Sequence, residues 1–163
     1  MRFSLACGLI VLAAACGGDD PPGAEPVIDV IADAVAAIEA HYGGPQEYFE
    51  ISAGLESVGV IVAVDGATAA EQGSYSIDGG LVVPEPVGEA SGATFEATDI
   101  TFDPERVFEQ IRDELDDPVI VDFAIQGGPD GALLYDATVA TEGGGVLLVL
   151  VAADGTIRGV QAQ

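Results

Sequence analysis

The chain has 163 residues, with 28 Asp and Glu against four cationic residues, all of them Arg, for a formal net charge of −24. A surface this acidic repels nucleic acid and anionic lipid headgroups, which excludes phosphate-backbone binding as a main function. The length suits one domain with a sizeable core, but with six Phe, four Tyr and no Trp, aliphatic strands must supply most of the burial.

At the N-terminus, Arg2 precedes a short apolar run that ends in Ala13-Ala14-Ala15, the pattern of an export signal. The run falls far below the ~20 apolar residues that span a bilayer. Ala13-Ala14-Ala15-Cys16 resembles the lipobox of bacterial lipoprotein precursors, with Ala13 where such boxes usually carry Leu and Leu12 one place earlier. The resemblance implies a signal over residues 1–15, cleavage after Ala15, and Cys16 lipidated as the first residue of the mature protein. Plain secretion with cleavage at the same bond is the alternative. Cys7 leaves with the signal, so the mature domain holds no thiol for nucleophilic or metal chemistry. Residues 16–26 then form the lipidated Cys and a flexible tether, Gly17–Pro26, whose Gly, Pro and acidic residues bury nothing. Ten such residues reach at most ~35 Å, so the domain is expected on the exported side of the cell membrane, periplasmic or extracellular, close to the bilayer.

Residues 27–163 are expected to form a single globular domain. Ile31, Ala34, Val35, Ile38 and Tyr42 form one apolar stripe at helical spacing, which predicts a helix over 27–42, with Pro26 at its start and Gly43-Gly44-Pro45 ending it. Two strands follow. Glu47–Ala53 alternates, with Phe49 and Ile51 on one face and Tyr48, Glu50 and Ser52 on the other; Val58–Val64 is apolar on both faces, reads as buried, and ends in an Asp65-Gly66 turn. Short strands are expected near Ser74–Ile77, Leu81–Val83 and Phe95–Thr101, with a Pro/Gly-rich stretch from Pro84 to Gly92 between the last two. A second helix starts at the N-cap Asp103 with Pro104 as its first residue, carries Phe108, Ile111 and Leu115 as a stripe, and is broken by Asp116-Asp117-Pro118. Strands at Val119–Ile125, Leu133–Val139 and Val146–Ala152 follow, the last an apolar run read as central, and Asp154-Gly155 turns into a short edge strand, Thr156–Val160.

Short turns between successive strands imply antiparallel pairing. The fold class is therefore α+β, with two helices packed on one face of a mostly antiparallel sheet, and its two helix-plus-hairpins halves can be read as degenerate copies.

Within this layout, Val62, Val64, Asp65 and Gly66, followed by Val107, Phe108 and Ile111, resemble a family of small, uncharacterised bacterial lipoproteins. There a strand ending in an Asp-Gly turn precedes a helix carrying Leu/Val-Phe-x-x-Ile. The likeness covers roughly residues 36–152; Tyr42 stands where the family carries Trp, and Gly127-Gly128-Pro129 replaces a Gly-Tyr-Pro loop. It implies the fold and no assigned activity.

Few residues carry recognisable chemistry. His41, the sole histidine, sits at the expected end of the first helix, where it would face the last carbonyls. Gly54-Leu55-Glu56-Ser57-Val58-Gly59 has one residue too many before its Ser for a nucleophile elbow and reads as a turn between strands. Two glycine-rich stretches, 127–131 and 143–145, lack phosphate-binding spacing and a Lys, and read as hairpin loops. Asp99, Asp103 and Glu105, or Asp116 with Asp117, are calcium candidates, although the alternating acids and distal Glu of a calcium loop are missing. Asp122 and Asp136 interrupt apolar strands, on faces opposite Phe123 and Tyr135; wet faces explain them, and burial close together would single them out for titration. The expectation is a non-enzymatic, membrane-anchored binding or accessory lipoprotein without a cofactor, whose partner is an envelope protein or polymer. A small envelope hydrolase or a carrier of an apolar ligand are the alternatives.

Overall fold

In the computed structural model of the chain, residues 25–141 and 144–163 are described. The signal over residues 1–15, Cys16 and the tether as far as residue 24 lie outside them.

The first helix, α1, spans Ile31–Tyr42, and Ile28–Val30 before it form a tighter 3-10 turn in place of the helical turn expected there. No side chain caps this end, and Val30 N–H donates to the Val27 carbonyl (3.0 Å), three residues back, which is the 3-10 pattern. The other end stops as the sequence implies: Gly43 takes the left-handed conformation (φ 82°), and the N–H groups of Gly43 and Gly44 both donate to the Glu39 carbonyl.

Four strands follow, β1 (Glu47–Ala53), β2 (Ser57–Val64), β3 (Ala69–Ser76) and β4 (Gly80–Glu89). A two-residue strand, β5 (Phe95–Glu96), leads to α2 (Pro104–Glu114), and β6 (Val119–Gly127), β7 (Leu133–Ala140), β8 (Val146–Val151) and β9 (Ile157–Ala162) complete the chain. All pairings are antiparallel, in the order β4-β3-β2-β1-β6-β7-β8-β9, with β5 beside the start of β1. The fold is α+β, dominated by a large open sheet. Each helix precedes a four-stranded meander, and the two meanders meet where β1 pairs with β6.

Strands β3 and β4 are much longer than the short segments expected, and β5 with the 3-10 turn Ala97–Asp99 replaces a strand over 95–101. Pro84 and Pro86 fit inside β4 because it is an edge strand, where a missing N–H breaks no ladder on the outer side.

One face of the sheet is the core. Tyr48 and Ile51 of β1, Val58, Val60 and Val62 of β2, Phe123 and Ile125 of β6, Tyr135 and Val139 of β7, and Val149 and Val151 of β8 are all buried on it. Ile31, Ala34, Val35 and Ile38 of α1 and Val107, Phe108 and Ile111 of α2 join the same cluster, so both helices cover this face. The approach of α1 is close: a Cβ on Gly73 of β3 would stand 3.0 Å from Pro84 Cγ and 3.4 Å from Ile38 Cδ1. In α2, the Asp103 side chain accepts from Arg106 N–H (3.3 Å), the N-cap bond expected there.

Two expectations are corrected. The sequence of β2 predicts a buried strand, yet it buries alternate residues, because among the described residues no helix covers the other face; β8, expected to be central, lies next to the edge strand. In β1 a bulge between Tyr48 and Glu50 reverses the expected faces at the start of the strand. Tyr48 is fully buried in the core, while Phe49 turns away from it.

Candidate functional site

The sheet face opposite the helices collects the polar residues that interrupt its strands. Register follows from the pairing. Glu50 of β1 lies across from Gln126 of β6, which lies across from Leu134 of β7; Ser52, Ala124, Asp136 and Leu150 form the next row, and Asp122, Thr138 and Leu148 the one after. Asp122 and Asp136 thus sit on adjacent strands, diagonally about Ala124, with Glu50 one strand further on. Such diagonal neighbours are within reach of one another's charge. All three carboxylates are half-buried, near the middle of the sheet where neighbouring side chains crowd them and one side stays open to water.

Their titration follows from that setting. Burial pushes the Asp122 carboxyl up to about 6, with the charges of Asp136 and Glu50 adding to the rise. Asp136 is likewise pushed up to about 6, first by burial and then by Glu50. Glu50 is raised by burial, and its Oε2 accepts from Gln126 Nε2 (3.2 Å). None of the three has a cationic partner on the sheet: strands β1 to β8 contain no Lys, Arg or His. Arg106 and Arg112 are on α2, and Arg158 is on the edge strand β9. Among the described residues the arginines are thus on α2 or at the sheet edge, and strands β1 to β8 carry acids without a cation.

At one end of the open face lies a groove of about 640 Å³. Phe49, Ile61 and Ala70 line it with Val87 of the edge strand, Glu50 and Gln126 meet it from the sheet, and the connection over 88–93 forms its rim. That connection crosses the sheet end at close range. Ala90 N–H donates to the Thr68 carbonyl (3.0 Å), and a side chain on Gly127 would overlap the Ala93 carbonyl. A glycine at 127 is what lets the backbone pass. A second groove, of about 580 Å³, is on the helix side, where Glu25–Asp29 run beside Phe108, Glu109 and Arg112. There Arg112 forms an ion pair with Glu25, tying the entry of the described chain to α2.

Of the residues that the sequence marks out, the structure brings Asp122 and Asp136 together and adds Glu50 to them. Cys16 lies outside the described residues. Asp99 and Asp103 are occupied as caps: Asp99 accepts from Glu96 N–H (3.0 Å) and Asp103 from Arg106 N–H, while the Glu105 side chain is not among those described. His41 is exposed in the last turn of α1, its ring edge-on to Tyr42 at 5.0 Å. Ser57 opens β2, and its carbonyl accepts from Gly54 N–H, as a turn between strands requires. Glu50 escaped the sequence reading as a site residue. It interrupts an apolar strand just as Asp122 does, but only the β1–β6 pairing puts the two on one surface.

No described helix is long and apolar enough to cross a membrane. No family model and no curated protein matches the chain. Among solved structures, the fold is similar to that of a candidate lipoprotein from Clostridium difficile 630, with a TM-score of 0.55 and 11% identity over 86% of this chain and 94% of that one. At this identity the likeness is one of fold.

Proposed function

We propose that the chain is a lipid-anchored, non-enzymatic binding module of the bacterial cell envelope whose open sheet face docks a cationic segment of a protein partner. One observation carries the reading: three half-buried carboxylates occupy the middle of a face on whose strands, β1 to β8, no cation is present. Desolvated like charges cost stability, and a partner bringing positive charge offsets that cost while adding contacts to Leu134, Leu148 and Leu150 around them.

The anchor and the face are consistent with each other. Cys16 in its lipobox-like setting, and a neighbouring fold borne by a candidate lipoprotein, support lipidation. The described chain enters on the helix side, opposite the open face, where Glu25 pairs with Arg112 of α2. The repeated order of one helix and four strands supports reading the sheet as two degenerate halves. Against an enzyme, Asp122 and Asp136 line neither of the two described grooves. Against an apolar carrier, packed side chains fill the space between the helices and the sheet.

Titration calorimetry with a ten-residue alternating Lys-Ala peptide tests this. Binding to the full chain in detergent is expected to weaken steeply from 50 to 300 mM salt, and at least tenfold in an Asp122→Asn, Asp136→Asn double variant. Equal binding of an alternating Glu-Ala peptide, or unchanged affinity in the double variant, contradicts it.

A further inference from the structure

The groove beside Glu50 has its own chemistry. Its walls are apolar where Phe49, Ile61, Ala70 and Val87 meet, and its charged groups are both anionic, Glu50 from the sheet and Glu89 from the edge strand. Val87 is 62% exposed, which leaves apolar surface on the outer wall uncovered. Gln126 donates to one oxygen of Glu50 and is neutral, so the carboxylate remains uncompensated within the groove.

We propose that this groove receives one arginine side chain of the cationic partner, with its apolar stem between Phe49, Ile61 and Val87 and its guanidinium on Glu50. The inference rests on the reading of the open face as a docking surface for a basic segment, and names the place where that segment is read. Side chains of this kind bury an aliphatic stem along apolar surface while the head seeks a charge. A groove of about 640 Å³ exceeds the volume of one side chain and also admits the backbone on either side of it. Arginine suits the lining better than lysine. Its planar fork binds a carboxylate through two parallel hydrogen bonds, and it stacks on an aromatic ring such as that of Phe49. Burial raises the Glu50 carboxyl, and the charge of an incoming cation offsets the cost of that desolvation, which the neutral Gln126 does not.

The test uses N-acetyl-arginine methylamide, with the lysine analogue and the uncharged, nearly isosteric citrulline analogue as comparisons, read by amide chemical shifts of the full chain in detergent micelles. The arginine compound is expected to give saturable shifts at Gly88, Gly92 and Gly127, with the lysine compound about threefold weaker and the citrulline compound at least tenfold weaker. Glu50→Gln is expected to abolish the saturable shifts, and Val87→Ser, at an exposed position, to weaken binding about threefold. Asp33→Asn, on the solvent side of α1, leaves binding as it is. Equal binding of citrulline and arginine, unsaturating shifts spread over the acidic surface, or wild-type binding by Glu50→Gln overturns the proposal. If the Lys-Ala peptide still binds in a manner dependent on Asp122 and Asp136, the groove alone is refuted and the face stands. If the arginine compound fills the groove while the peptide binds nowhere, the face reading fails and the groove stands.

Discussion

Replacing Asp136 with Asn removes one charge from the open face while keeping the side chain's size, and the consequence for stability can be worked out. In the folded protein Asp122 and Asp136 each titrate at about 6, against 3.8 for an unperturbed Asp. Between those values the folded state holds more protons than the unfolded one, so stability falls as pH rises from about 4 to about 6 and stays at the lower level above that. A displacement from 3.8 to about 6 corresponds to ~3 kcal/mol for each group. Both carboxylates still meet water on their open side, and screening reduces this to roughly 1–2 kcal/mol apiece. Asp136→Asn is therefore expected to stabilise the protein at pH 7.5, raising Tm by roughly 3–8 °C, with the gain shrinking toward zero at pH 4. Because Asp122 feels the charge of Asp136, the double variant should gain less than the sum of the single ones. Thermal melts followed by circular dichroism from pH 4 to 8 measure this. A lower Tm for Asp136→Asn at pH 7.5, or an equal gain at both ends of the range, refutes the reasoning.

The same carboxylates set the pH dependence of docking: affinity for the Lys-Ala peptide should drop as pH falls from 7 to 5 and the charges are lost, which calorimetry at three pH values would show. Tyr48 is fully buried, and its hydroxyl finds no hydrogen-bond partner among the described residues. Tyr48→Phe is therefore expected to raise unfolding stability by about 1 kcal/mol, measured by urea titration. Ile38 is fully buried where α1 meets β3, and Ile38→Ala should cost about 2–4 kcal/mol in the same assay. Gly127→Ala places a methyl group against the Ala93 carbonyl; a loss of roughly 1–3 kcal/mol, with amide shifts concentrated over residues 90–94, is expected.

Much of the fold is legible in the sequence because it is written in local terms. Gly43 after the stripe of α1, and Asp103-Pro104 before that of α2, are signals that depend on the backbone next to them. The Asp65-Gly66 and Asp154-Gly155 turns are of the same kind, with positive φ at Asp65 (54°), Gly66 (67°) and Gly155 (87°). What the sequence hides depends on partners. β3 is built from small and polar residues with little strand preference of their own, and its length comes from pairing with β2 along its whole extent. The bulge that sends Tyr48 into the core and Phe49 out of it exists only against β2. The candidate site is hidden for the same reason. Asp122 and Asp136 stand out as acids in apolar strands separated by one hairpin, whereas Glu50 joins them only through the pairing of β1 with β6, where its bonded neighbour Gln126 is 76 residues away in the chain. Cys16, readable from its local setting, lies outside the described residues.

Mapping where a cationic segment lands tests the account most directly. Amide shifts of the full chain in detergent, titrated with the Lys-Ala peptide, should move first along the rows that hold Glu50, Asp122 and Asp136 and leave α1 and α2 unmoved. Shifts centred on the helices, or scattered in proportion to surface acids, would show that the open face is not the docking surface.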